Sequence, residues 1–215
     1  MKKFIVIALA IVLFAGGRAC AQWRPGAGYV HASSVSRYPD GESAVKTAFN
    51  GLYAGLSYAL PLAGGIDFTP GVYYEFIAGG EKAEGRTLDI LGETREHYLN
   101  VPLTFDFGFD LSPDVRLLLF AGPTFRLGLE SVTFFGLGWS VHDFEVLKGG
   151  LKAHNFRDDD YSRFDVLLGG GLALELLNRF RLQFGYDAGL LNRNTAGSDL
   201  RLHSRRLTAG IAYLF

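Results

Sequence analysis

The chain holds one cysteine, Cys20, in 215 residues. It is the middle residue of the small-x-small site Ala19-Cys20-Ala21, so a chain processed after Ala21 has none. Disulfide frameworks and thiol chemistry are then excluded. Beyond that point no segment reaches 18 consecutive apolar residues, which excludes a transmembrane helix. Neither charge sign dominates, since 21 basic and 22 acidic residues give a net charge of −1. That is not the basic footprint of a nucleic-acid-binding protein. P-loops, dinucleotide glycine fingerprints and zinc-ligand spacings are missing too. No catalytic residue, cofactor or metal is therefore expected.

What is present is apolar. Hydrophobic residues make up 48% of the chain, aromatics 14%, and 28 residues are glycine. Without a helical span, this content fits strands that alternate. The start has its own logic. Lys2 and Lys3, the apolar run Phe4 to Ala15, and Ala19-Cys20-Ala21 form the three parts of a secretory signal peptide. The expected organisation is a signal peptide over 1–21 and one domain over 22–215. Cleavage removes three basic residues and moves the formal charge to about −4. Lipidation at Cys20 is disfavoured by Arg18, which stands where such motifs carry a small apolar residue.

Period-two alternation runs through the rest. The clearest segment sets Phe180, Leu182, Phe184, Tyr186 and Ala188 on one face and Arg181, Gln183, Gly185 and Asp187 on the other. Similar segments begin near Leu52, Phe68, Leu99, Val115 and Phe164, and the last runs from about Leu202. An eighth is placed at Arg24 to Ser36, where alternation is weak. The chain ends on an apolar row in steps of two: Leu207, Ala209, Ile211, Tyr213 and Phe215. A strand that ends on an exposed Phe suits a face in contact with lipid. The connections run about 11, 5, 15, 4, 30, 3 and 9 residues, alternately long and short. Outer-membrane barrels have this asymmetry, with short periplasmic turns and long external loops. The expected fold is all-β: an eight-stranded antiparallel up-and-down transmembrane β-barrel in the cell outer membrane. Both termini are expected in the periplasm. Trp23, Phe49, Tyr58, Tyr98, Phe109, Tyr161, Phe164, Tyr213 and Phe215 lie near strand ends, as interfacial girdles do.

The inward faces gather Asp67, Glu75, Asp106, Arg116, Arg126, Glu130, Asp165, Glu175, Arg179, Arg181 and Asp187. In a narrow lumen such charges must pair, because an isolated buried ion is costly. Eight strands leave an interior about filled by side chains. A salt-bridged plug is expected, with a narrow ion path as the competing reading. The region 131–160 is too apolar for an ordinary loop, with Phe134, Phe135, Trp139 and Phe144. Two arrangements compete: a sheet protruding above the membrane, which offers an edge to a protein partner, and a loop folded back into the mouth, slightly the preferred one. His31-Ala32-Ser33 has the spacing of a lipid-modifying His-x-Ser pair, but no following acid is evident. His203-Ser204 is a weaker case, and Asp158-Asp159-Asp160 reads as a solvated tip.

Several runs resemble a known family. Tyr98-Leu99-Asn100-Val101-Pro102-Leu103 and Phe120-Ala121-Gly122-Pro123 are similar to motifs of small Gram-negative outer-membrane β-barrel proteins, the porin-family or PorT-like group. So are Phe164-Asp165 with Gly169-Gly170-Gly171, and Tyr186-Asp187-Ala188-Gly189-Leu190. The resemblance implies an eight-stranded barrel at the cell surface. It also implies that the terminal row is the signal read by the barrel-assembly machinery. The expected partners are outer-membrane lipid, that machinery and a protein at the external loops, for a monomer with a structural or interaction role. The alternatives are a narrow transport or ligand-binding barrel and a lipid-modifying enzyme.

Overall fold

A computed structural model describes residues 22–37, 44–83, 89–141, 144–154, 156, 162–194 and 201–215. The expected signal peptide, Tyr161 and Asp158-Asp159-Asp160 lie outside these residues. Among them are nine strands: β1 (Gln22–Arg37), β2 (Ala44–Ala63), β3 (Ile66–Ala83), β4 (Asp89–Ser112), β5 (Val115–Val141), β6 (Phe144–His154), β7 (Phe164–Leu176), β8 (Phe180–Gly189) and β9 (Arg201–Tyr213). No helix among the described residues is long and apolar enough to cross a membrane.

Every pairing is antiparallel. Eight strands close a ring in the order β1, β2, β3, β4, β5, β7, β8, β9, and β9 returns to β1. Ala209 sits opposite Tyr29 at the closing seam. The weakly alternating first segment is thus a full strand, held in register by two neighbours rather than by its own pattern. Closure leaves the ring with no free edge.

Short turns at one end fix the hairpins. Gly64 and Gly65 have φ of 61° and 80°, and Leu177 and Asn178 have φ of 55° and 51°. Two consecutive left-handed residues make the turn that matches strand twist. Gln22, the first described residue, and Phe215 both lie at this turn end.

Polarity is inverted relative to a soluble protein. Leu52, Val72, Leu168, Leu172 and Phe184 are each more than half exposed on the outer wall. Inside, Arg126, Glu75 and Asp106 are essentially inaccessible. An apolar belt around a charged core is stable only where lipid is the outer solvent.

The loop end departs from the expected long loops. β4 and β5 pair from Ser112–Val115 out to Asp89–Gly138, with register shifts at Asp110/Ser112 and at His97/Tyr98. β5, 27 residues long, then turns into β6, which pairs back on it from Val141–Phe144 to Val132–His154. A sheet therefore stands beyond the ring at residues 131–141 and 144–154, not the folded-back loop slightly preferred from sequence. Among the described residues between β6 and β7, Phe156 enters the mouth. Phe134 is on the outer face with Arg95 above its ring at 5.3 Å. The side chains of Phe135, Trp139 and Phe144 lie outside the described residues.

Candidate functional site

The lumen is built in layers. At the turn end, Arg24 from β1 bridges Asp106 and Glu175 at 3.2 Å each. Arg181 from β8 meets Asp106 at 2.5 Å and Glu175 at 3.6 Å. Arg116 from β5 reaches Asp67 at 3.3 Å and Glu175 at 3.9 Å. Three arginines thus face three carboxylates contributed by β3, β4 and β7. Thr69 adds a hydroxyl hydrogen bond to Asp106 at 3.0 Å.

A second layer lies nearer the loop end. Arg206 of β9 donates to Glu75 at 2.8 Å and to Asp187 at 2.7 Å. Arg126 also binds Glu75, and the Asn100 amide donates to the same carboxylate at 3.0 Å. This layer has two arginines and two carboxylates. Between the layers is a cavity of about 90 Å³ lined by Tyr53, Tyr73, Phe120 and Gln183, among others. That is room for a few waters, which such a polar chamber can hold. Gly171 makes space for the Phe120 ring, since a Cβ there would lie 2.6 Å from its tip.

Above the charges is an apolar cap. Val30, Ala32, Phe49, Ile77, Tyr98 and Phe156 form one buried cluster. Phe156 rests on Gly128, where a Cβ would come within 2.4 Å of its ring, and meets the Tyr98 ring edge-on at 6.3 Å. Arg126 stacks on the Tyr98 ring at 3.5 Å. Arg193 donates to the Tyr98 hydroxyl at 2.9 Å and to Ser204 at 3.3 Å. The cap is therefore bonded to the charges beneath it.

Of the eleven charges read as inward from the sequence, Asp67, Glu75, Asp106, Arg126, Asp165, Glu175 and Arg181 are buried, and Arg116 and Asp187 are partly so. Two are not inside. Arg179 is exposed in the β7–β8 turn. Glu130 is exposed on the outer wall because Leu129 is an extra residue: His97 pairs with Glu130 but Tyr98 pairs with Gly128. Such a bulge inverts the parity of everything after it. Ser131 accordingly points inward and donates to Glu96 at 3.0 Å.

Arg24, Arg193 and Arg206 were missed. The parity of the terminal row would have found Arg206, since Leu207 and Ala209 face out on either side of inward positions. The charge balance was a second signal. Seven acids against four arginines could not all pair, whereas the corrected lining has six of each, to which Glu96 at the mouth adds a seventh acid.

Leu207, Ala209, Ile211, Tyr213 and Phe215 all lie on the outer wall. Tyr213 packs between Phe180 at 5.6 Å and Phe215 at 4.9 Å. The Phe215 amide donates to the Trp23 carbonyl at 3.2 Å, which ties the end of the chain to its described start. His31 faces outward, and its Nδ1 is 2.8 Å from the side-chain oxygen of Asn50. It is thus held by an amide and not by a carboxylate. Among the described residues no group of three or more His, Cys, Asp or Glu could hold a metal ion.

A family model described as "Outer membrane protein beta-barrel domain" matches residues 21–193. No curated protein matches the chain. Among solved structures it is similar to Ail, the attachment invasion locus protein of Yersinia pestis, in complex with the heparin analogue sucrose octasulfate. The two are 14% identical over 91% of this chain and 99% of that one, with a TM-score of 0.43. Neisserial surface protein A is 13% identical over 93% and 100%, with a TM-score of 0.37. The outer membrane enzyme PagL is 11% identical over 86% and 98%, with a TM-score of 0.41. At such identities and scores these structures carry no argument about activity. The closed ring, the lipid-facing belt and the matched 21–193 lead to one conclusion: this chain belongs to the outer membrane protein beta-barrel domain family and resides in the outer membrane.

Proposed function

We propose that the protein is a sealed, non-conducting barrel that holds a β-sheet outside the membrane for another protein to bind. The observation behind this reading is an edge. β6 pairs with β5 and, among the described residues, with no other strand. An open edge offers backbone donors and acceptors to an added strand. The lumen supports the same reading, because its charges compensate one another and its cavity of about 90 Å³ is far below ligand size.

The experiment is surface cross-linking on whole cells, with a photoreactive group placed in β6. A second strain carries residues 137–149 replaced by an Asn-Gly turn, which keeps the Gly136–Gly150 pair and Phe156. A specific adduct in the first strain that is lost in the second supports the proposal. Identical adducts in both would overturn it.

A further inference from the structure

The apolar row of β9 ends on a charge. Leu207 and Ala209 face outward, and the next outward position toward the loop end is Arg205, which is exposed. His203, two positions further, is half-buried on the same face. From Phe215 to Arg205 is ten residues, or about 25 Å at ~3.3 Å rise and ~40° tilt. A lipid-facing band is about 25 Å tall. Arg205 therefore stands where the band meets the headgroups, on the external side.

Register sets the neighbours on either side. Ala209 lies between Tyr29 of β1 and Phe184 of β8. Both rings are exposed on the outer wall, so the methyl group between them floors a shallow groove. One step nearer the loops, Leu207 lies between His31 and Tyr186. His31 is thus a diagonal neighbour of Arg205, a spacing that long side chains bridge. Its Nδ1 is 2.8 Å from the side-chain oxygen of Asn50, which also accepts from the Tyr29 hydroxyl. Nε2 is then the ring nitrogen available to a ligand.

This sector of the outer wall carries no acid among the described residues. Asp187 turns into the lumen, where Arg206 holds it at 2.7 Å. The outward carboxylates of the loop end, Glu93 and Glu130, belong to β4 and β5, three or more strand boundaries away around the ring. An anion at Arg205 therefore meets no like charge. A guanidinium takes two phosphate oxygens in its own plane, and the groove beneath it suits a hydrocarbon chain. We infer that the β8–β9–β1 wall is a binding site for a phosphorylated lipid of the outer leaflet. The phosphate sits at Arg205 and His31, and one acyl chain lies over Ala209 between Tyr29 and Phe184.

The test is lipid retention by the refolded protein in detergent micelles, read by native mass spectrometry. The probes are diphosphoryl lipid A and the same lipid with its phosphates removed, with inorganic phosphate as a competitor. The phosphorylated form is expected to be retained about tenfold better, the contribution of one charge-assisted contact. Arg205→Gln should remove that preference, and Arg205→Lys should restore part of it. Ala209→Leu should lower retention of both forms. Arg163→Gln, on a different sector, should leave both unchanged. The three positions are exposed, and heat-modifiable gel mobility reports that the variants fold. Equal retention of the two lipids by the native protein, or a preference that survives Arg205→Gln, would overturn the inference. An equal loss in Arg163→Gln would overturn it too, because the effect would then be one of net charge. Displacement by inorganic phosphate at the same concentration as by the intact lipid would overturn the role of the acyl chain.

Discussion

Arg206 on β9 reaches across the lumen to Glu75 on β3, donating to its carboxylate at 2.8 Å. Three strand boundaries separate them around the ring. The contact is therefore a strut across the barrel, and Arg126 braces the same carboxylate from β5.

Removal of that carboxylate leaves two cations facing each other in a closed interior. Glu75→Gln should destabilise the barrel by about 3–5 kcal/mol. Replacing Glu75 and Arg126 together with Gln and Met should cost less, since fewer charges are left unpaired. Urea unfolding in micelles, followed by tryptophan fluorescence, measures both. Equal losses in the two variants would mean that compensation is not what holds this layer.

The outer wall gives the opposite test. Ile211 is half exposed at 50%, in the belt between Ala209 and Tyr213. Ile211→Arg should cost about 2–4 kcal/mol if the site lies near the bilayer midplane. Folding in liposomes measures it. Unchanged stability would require a different register for β9.

How much of this was legible in the sequence depends on where the information lies. Phe180 to Ala188 shows its two faces directly, because each strand there alternates between lipid and lumen. Gln22 to Arg37 does not. Its glycines and serines carry little contrast, and its register comes from Ala59 on one side and Ala212 on the other. Glu130 was misplaced for a sharper reason. Parity counted along one strand is blind to a bulge, which is defined only against the partner strand. The protruding β5–β6 sheet was visible as excess hydrophobicity, but its direction was not.

Phe156 closes the cap at the mouth. Phe156→Ala removes a buried ring from the mouth and should cost about 3 kcal/mol. It should also make the Tyr98 ring accessible to a small tyrosine-modifying reagent added from outside. It should not produce a current, since both charge layers lie below it. Protection of Tyr98 in the variant would mean that the cap closes without Phe156.

The terminal row bears on assembly. Deletion of Phe215 removes the ring packed edge-on against Tyr213 and the amide bonded to Trp23. Insertion should fall before any binding property changes, as measured by surface labelling against total protein. Normal surface levels would show that the last residue is dispensable to the assembly machinery.

The sealed lumen is the claim on which the proposed role depends, and planar-bilayer recording of the refolded protein tests it most directly. Two neutral layers of paired charges beneath an apolar cap predict no stepwise current at any applied voltage. They also predict that current appears once Arg24→Ala and Arg206→Ala together unlock both layers in a Phe156→Ala background. Reproducible steps from the native protein would contradict a sealed barrel and assign the lumen to transport.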